Sequence, residues 1–340
     1  LRRILLVAIA ATALLAALFG SLAMGSVSYG YGEILAVLGF KLFGIDTGVD
    51  AVTVTIIWQL RLARTILAGL AGAALGVSGA VLQGLFRNPL ADPYAIGVSS
   101  GASLGAVISI VLGAKLGFSL LGSTEIFAFG GALSAALAVY GISRFNRRIS
   151  PTAALLLAGV AVGSFISALV SLIVTLNDKD LHTVFFWMLG GFGGKGWKDV
   201  AAVAPAVLVA LAGAFVIARP LDLLGAGEEA AGNLGLDVKV LRRCAVAIAA
   251  LGAAAAVSAG GVIGFVGLLG PHMARLVSGS LHRRLLPLSA ISGAVLLMLA
   301  DAVARSILAP VELPVGIVTA LIGAPLFLRL LASPKEGRVI

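Results

Sequence analysis

Arg61–Pro93 reads RLARTILAGLAGAALGVSGAVLQGLFRNPLADP, and the rest of the chain is best read outward from it. Two arginines three residues apart, Arg61 and Arg64, open the stretch. From Thr65 to Phe86 no charge appears and small residues dominate. Arg87-Asn88-Pro89 then breaks the run, and a second proline follows at Pro93. A helix of ~20 apolar residues crosses the ~30 Å hydrocarbon layer of a bilayer. The stretch is therefore expected to span a membrane, with an arginine pair at one end and a proline-punctuated loop at the other.

Composition extends that reading to the whole chain. Of 340 residues, 60% are hydrophobic and 11% charged, where soluble proteins carry roughly a quarter charged. The mean hydropathy is +1.12. The expected fold is an all-α polytopic membrane protein, since a membrane β-barrel would show alternating ~10-residue strands instead. The 44 glycines suit helices that approach closely in lipid. A net charge of +9 could point to nucleic acid, but cytoplasmic loops of membrane proteins collect Lys and Arg anyway, so no nucleic-acid partner is expected. The single Cys244 and three scattered histidines offer no internal disulfide and no metal-ligand spacing.

Ten apolar segments can be drawn, at about 4–24, 64–86, 94–112, 125–142, 152–176, 197–217, 240–259, 262–277, 287–304 and 314–331. The first follows Arg2-Arg3 and has the outline of a signal peptide, but with nine spans behind it a membrane helix is expected. The chain opens on Leu1, so an initiator or short leader is expected ahead of it. The clusters Arg144/Arg147/Arg148 and Arg283/Arg284 fall on one side, which the positive-inside rule makes cytoplasmic, together with both termini. Gly72-Ala-Ala-Leu-Gly-Val-Ser78 is echoed by Gly252-Ala-Ala-Ala-Ala-Val-Ser258. Five spans separate the copies, so they cross in opposite directions, as in two inverted five-helix halves.

Catalytic readings fail. Gly190-Gly-Phe-Gly-Gly-Lys195 resembles a phosphate loop, but that motif needs Gly where Leu189 stands and Ser or Thr where Gly196 stands. No nucleotide site is expected on this chain. The charges nearest the membrane interior, Asp301 and Glu312, sit near an outer end rather than at mid-depth. That weighs against ion-coupled carriage, which buries carboxylates near the bilayer centre. Arg61 and Arg64 share a helix face, and Arg305 lies at the same outer side. They either snorkel to headgroups or form a cationic platform for an acidic partner. On the inner side, the loop 219–243 carries a short helical pattern at Glu228-Glu-Ala-Ala-Gly232 and is longer than most connections. It is either a plain link or a docking element.

At these motifs the chain resembles a known family: the permease subunits of binding-protein-dependent ATP-binding-cassette importers for iron chelates, haem and cobalamin. The resemblance runs from about Ile4 to Leu331. It rests on Arg61-Leu-Ala-Arg64, Val77-Ser-Gly79 with Gln83, Asn88-Pro-Leu-Ala91 and Trp187-Met-Leu-Gly190. Further signatures are Gly264-Phe-Val-Gly-Leu-Leu-Gly-Pro-His272 with Arg275, His282-Arg283, Ala300-Asp301 with Arg305, and Glu312-Leu-Pro-Val-Gly316. Two departures stand out: Ala63, where the family usually has proline, and Pro151 at the start of the fifth segment.

The resemblance implies a single permease domain over 1–340 with ten transmembrane helices, acting as a homodimer in a bacterial or archaeal cytoplasmic membrane. Two separate ATPase subunits would hold the ATP and magnesium, with no cofactor on this chain. A periplasmic or lipid-anchored binding protein would dock on Arg61, Arg64 and Arg305. Glu228, Glu229, Ala230, Gly232 and Gly235 would form the element coupled to the ATPase. Asn88, Leu90 and Thr152 would form the cytoplasmic gate. The cargo would be a ferric siderophore, haem or cobalamin. The alternative is a secondary active transporter built on the inverted repeat.

Overall fold

The computed structural model describes residues 2–116, 124–145 and 150–332. In chain order the helices are α1 (Arg2–Ala23), α2 (Tyr31–Phe43), α3 (Ala51–Val54) and α4 (Ala63–Phe86). There follow α5 (Val98–Leu116), α6 (Thr124–Ser143), α7 (Pro151–Thr175), α8 (Leu181–Leu189), α9 (Trp197–Val216) and α10 (Ala218–Gly225). The last five are α11 (Glu228–Asn233), α12 (Val238–Gly260), α13 (Val266–Ser278), α14 (His282–Ser306) and α15 (Val315–Ala332). No strand occurs among the described residues.

Among the described residues six helices are long and apolar enough to cross a membrane: Ala51–Phe86, α6, α7, α9, α12 and α14. Shorter apolar helices run over Ala8–Ala23, Val98–Gly113 and Val315–Arg329. The chain is a multi-pass membrane protein.

The segment that opened the sequence reading is the hub. Its helix begins earlier than expected, because α3, a π-type turn over Thr55–Leu62, and α4 form one 36-residue helix. Arg61 and Arg64 therefore sit inside a helix rather than at its mouth. Of the apolar window in this helix 89% is buried, against 17% for α7. Residues without side-chain bulk make that central position possible. A Cβ on Gly79 would stand 1.8 Å from the Gly267 carbonyl oxygen, and one on Gly72 2.2 Å from that of Gly293. Backbones of α4, α13 and α14 thus touch, as small residues allow in lipid.

The two echoed segments pack on each other, with Gly252 of α12 against Ser78 and Ala74 of α4. Their helices run antiparallel. Gly260, at the end of α12, shares a cavity with Arg64, while Gly227, ahead of α12, lies beside the Arg87 guanidinium.

Several expected boundaries change. The eighth segment, 262–277, is helical only from Val266; α13 has 13 residues and is about 20 Å long at 1.5 Å per residue, too short to cross alone. The connection 25–60 contains α2 and α3, and α8 was not anticipated. Pro151 causes no disturbance. It occupies the first turn of α7, where the Ser150 side chain accepts a hydrogen bond from the Ala153 amide, a position where proline's missing N–H costs nothing. Arg147 and Arg148, part of the expected cytoplasmic charge cluster, lie outside the described residues.

Candidate functional site

At one end of α4 the three expected docking arginines come together. They are not a surface platform: Arg61, Arg64 and Arg305 are 6%, 8% and 6% exposed. Arg64 presents Nε and Nη2 to both oxygens of Asp301 at 2.9–3.1 Å. Asp301 itself has no exposed surface. The remaining Arg64 nitrogen, Nη1, donates to Glu312 at 2.8 Å. Arg305 pairs with Asp301 one helical turn earlier, Nε to Oδ2 at 3.1 Å. Its Nη2 donates to the Ser21 carbonyl at 3.0 Å and to the Ser21 hydroxyl at 2.8 Å. Arg61 donates to the carbonyls of Leu22 and Val27 and lies over the Tyr29 ring.

The physical reason for burying three cations lies in these partners. The last carbonyls of a helix lack intrahelical donors, and basic side chains near a C-terminus satisfy them. Arg61 and Arg305 do so for α1. Asp301 neutralises the space between Arg64 and Arg305, and forked pairing of guanidinium with carboxylate is the strong form of such contacts. Glu312 differs from the rest: its side chain is 48% exposed. It stands in the loop before α15, whose first amide, Val315, donates to the Gly190 carbonyl. Glu312 also lines a cavity of about 430 Å³ with Arg64, Gly190 and Gly260.

Lys195, the lysine of the Gly-rich turn, is held by Glu125 and Asp199. That gives the turn a structural use.

At the opposite end of α4, Arg87 takes a left-handed conformation (φ 50°) and closes the helix, its amide reaching the Gln83 and Gly84 carbonyls. The Asn88 side chain accepts from the Leu90 amide at 2.9 Å, an Asx turn. Asn88 and Leu90 are exposed and Thr152 is half-buried. Among the described residues no hydrogen bond joins Thr152 to Asn88 or Leu90. The short pattern read at Glu228–Gly232 forms α11, carrying Glu228, Glu229, Ala230 and Gly232, with Gly235 in the left-handed turn beyond it.

Side chains that the sequence motifs contain, but whose partners they do not reveal, tie this end together. Arg275 of α13 donates to Gln83 of α4 at 2.9 Å. Asp222 of α10 accepts from the His282 amide and faces His282 Nδ1, both at 2.7 Å. A carboxylate at a helix N-terminus is favoured by orphan amides and the helix dipole, so α10 is anchored to the start of α14. These groups surround a cavity of about 340 Å³ between α10 and the Asn88 turn.

Comparison with known proteins agrees with this anatomy. The chain is 47% identical over 300 residues to the cobalamin import system permease protein BtuC of Halobacterium salinarum, covering 87% of this chain and 78% of that one. It is 43% identical over 284 residues to the vitamin B12 import system permease protein BtuC of Escherichia coli, covering 83% and 84%. A solved metal-chelate type ABC transporter in an inward-facing conformation superposes with a TM-score of 0.81 at 32% identity, over 95% of this chain and 97% of that one. Residues 13–333 match a single transport family. An all-helical bundle with this arginine knot, and this match along nearly its whole length, belongs to the FecCD transport family.

Proposed function

We propose that the chain is the membrane permease subunit of a binding-protein-dependent ABC importer whose cargo is cobalamin. The observation that carries this reading is the 47% and 43% identity to permeases named for cobalamin and vitamin B12 import. Ten membrane helices in two inverted halves are proposed, α4 and α12 being the corresponding helices of the halves. ATP and magnesium belong to a separate ATPase dimer, and this chain holds no cofactor. Two copies meet about a two-fold axis. The apolar side chains exposed on α7 and α15, among them Val160, Phe165, Leu321 and Leu328, support placing those helices at the axis.

A loaded binding protein presents carboxylates at the Arg61–Arg64–Arg305 end. Because those arginines are buried and Arg64 already holds Glu312, docking works by exchange. An incoming carboxylate takes the Arg64 Nη1 position, and Glu312 swings out. Since Glu312 lies three residues before α15, that exchange reaches the helix proposed to line the pathway. At the other end, α11 and Gly235 seat in the ATPase, and α10 passes its movement to α14 through Asp222 and His282. Asn88, Leu90 and Thr152 narrow the inner mouth. Both termini face the cytoplasm. Membrane lipid surrounds the dimer, and no nucleic acid takes part.

The test is uptake of labelled cobalamin in cells lacking their own permease and supplied with this chain, its ATPase and its binding protein. ATP-dependent cobalamin uptake is expected. Uptake of a ferric siderophore or haem instead would replace the cargo. Uptake that persists without the ATPase would establish the secondary-carrier reading.

A further inference from the structure

A groove remains on the outside of the bundle that the transport reading does not use. It lies between α1, α9 and the first turns of α14, at the same end as α10 and α11, with a volume of about 710 Å³. Its walls are apolar, including Leu14, Phe215, Leu288 and Ile291, and its rim carries Arg283 and Arg284. The volume lies in the range of small-molecule sites, yet the groove opens sideways from helices that face the membrane.

The charge at the rim is specific. Asp222 also lines the groove, but its carboxylate is taken up by the His282 amide and ring. Arg283 and Arg284 are exposed. Both stand in the first turn of α14, where the helix dipole adds to their positive potential. The site therefore joins an apolar slot to two cations at its rim, which complements one molecule class: an anionic phospholipid, with acyl chain in the slot and phosphate at the arginines. Basic pockets between membrane helices bind acidic headgroups in this way.

We propose that this groove is a binding site for an anionic phospholipid that holds α1 against α14. The phosphate is recognised by Arg283 and Arg284, and the slot accepts the chain. The site lies next to the Asp222–His282 anchor, so its occupant also steadies the start of α14.

The test uses the purified full-length chain, co-expressed with its ATPase, in native mass spectrometry with added phosphatidylglycerol or phosphatidylcholine. The chain is expected to retain phosphatidylglycerol more tightly. About fivefold of that preference comes from each arginine, hence roughly twenty-five-fold together. Arg283→Gln with Arg284→Gln should remove the preference. Lys239→Gln with Arg243→Gln, an equal charge loss on exposed residues outside the groove, should leave it intact. Ala11→Trp, which fills the slot, should lower retention of either lipid. Equal retention of both lipids by the unaltered chain would overturn the proposal. So would equal losses in the two double variants, which would mean diffuse surface charge. A Gln pair that keeps the lipid preference but sheds the ATPase would make the rim a protein-docking face instead, and the lipid site would be wrong.

Discussion

Asp301 shows most sharply what one residue does here. It accepts from Arg64 and Arg305 while wholly buried, so its removal leaves two buried guanidiniums facing each other, with the half-exposed Glu312 as their remaining counter-charge. Stripping one partner from a buried pair costs about 3–5 kcal/mol. Asp301→Ala is therefore expected to lower the thermal unfolding midpoint of the detergent-solubilised chain sharply, a change that tryptophan fluorescence would follow. An unchanged midpoint would mean the knot contributes no stability. Glu312 is a different case, because its pair with Arg64 is half solvated and such pairs contribute about 0.2–1 kcal/mol. Glu312→Gln should leave folding intact. By freeing Arg64 for an incoming carboxylate, it should tighten binding-protein docking up to about fivefold, readable by surface plasmon resonance on immobilised permease–ATPase complex. Weaker docking in that variant would refute the exchange. Reversing charge at Arg64 is a poor probe, since it sets a third carboxylate against Asp301 and tests the fold instead. The sequence alone put Arg61 and Arg64 on one face but on a surface, because Asp301 stands 237 positions from Arg64. The Asp301–Arg305 spacing of one turn was a readable hint.

Among the elements, α4 was legible because its signal is local: an uninterrupted apolar run with glycines at helical spacing. α8 and α13 were not, because short helices inside a bundle owe their form to neighbours rather than to a membrane-length pattern. Residues 261–265 leave the helix where Gly261 (φ 70°) and Phe265 (φ 68°) take left-handed conformations, which hydropathy does not record. The ends of α7 and α11 were legible again, through Ser150-Pro151 and the glycines flanking Glu228. Close contact between α4 and α13 depends on Gly79 alone at its narrowest point. Gly79→Val would drive side-chain atoms into the Gly267 carbonyl, and overpacking of this kind costs about 1–3 kcal/mol. Reduced yield of folded protein by size-exclusion chromatography is expected. Gly20→Ala, where a Cβ meets nothing within 4 Å, should behave like the unaltered chain. Equal behaviour of both variants would show that the α4–α13 contact can relax freely.

For the whole molecule, the two ends of α4 divide the chemistry: a buried ion knot at the Arg64 end, and an amphipathic platform with an open rim of arginines at the Arg87 end. The proposed orientation, with the Arg87 end facing the cell interior, rests on the distribution of positive charge, and it fixes every direction in the proposed mechanism. The loop at Asp46 lies ahead of the long α3–α4 helix and is exposed; Lys239, at the start of α12, is exposed at the opposite end. Cys244 is exposed and is the one cysteine in the chain, so Cys244→Ser gives a clean background for labelling. In that background Asp46→Cys should react with a membrane-impermeant maleimide on intact cells, and Lys239→Cys only after the membrane is opened. A binding protein can then reach Arg64 only from outside, and an ATPase can reach α11 only from inside. Labelling in the reverse order would place α10 and α11 beyond the reach of any cytoplasmic ATPase. The importer reading would then fail, however closely the sequence matches its relatives.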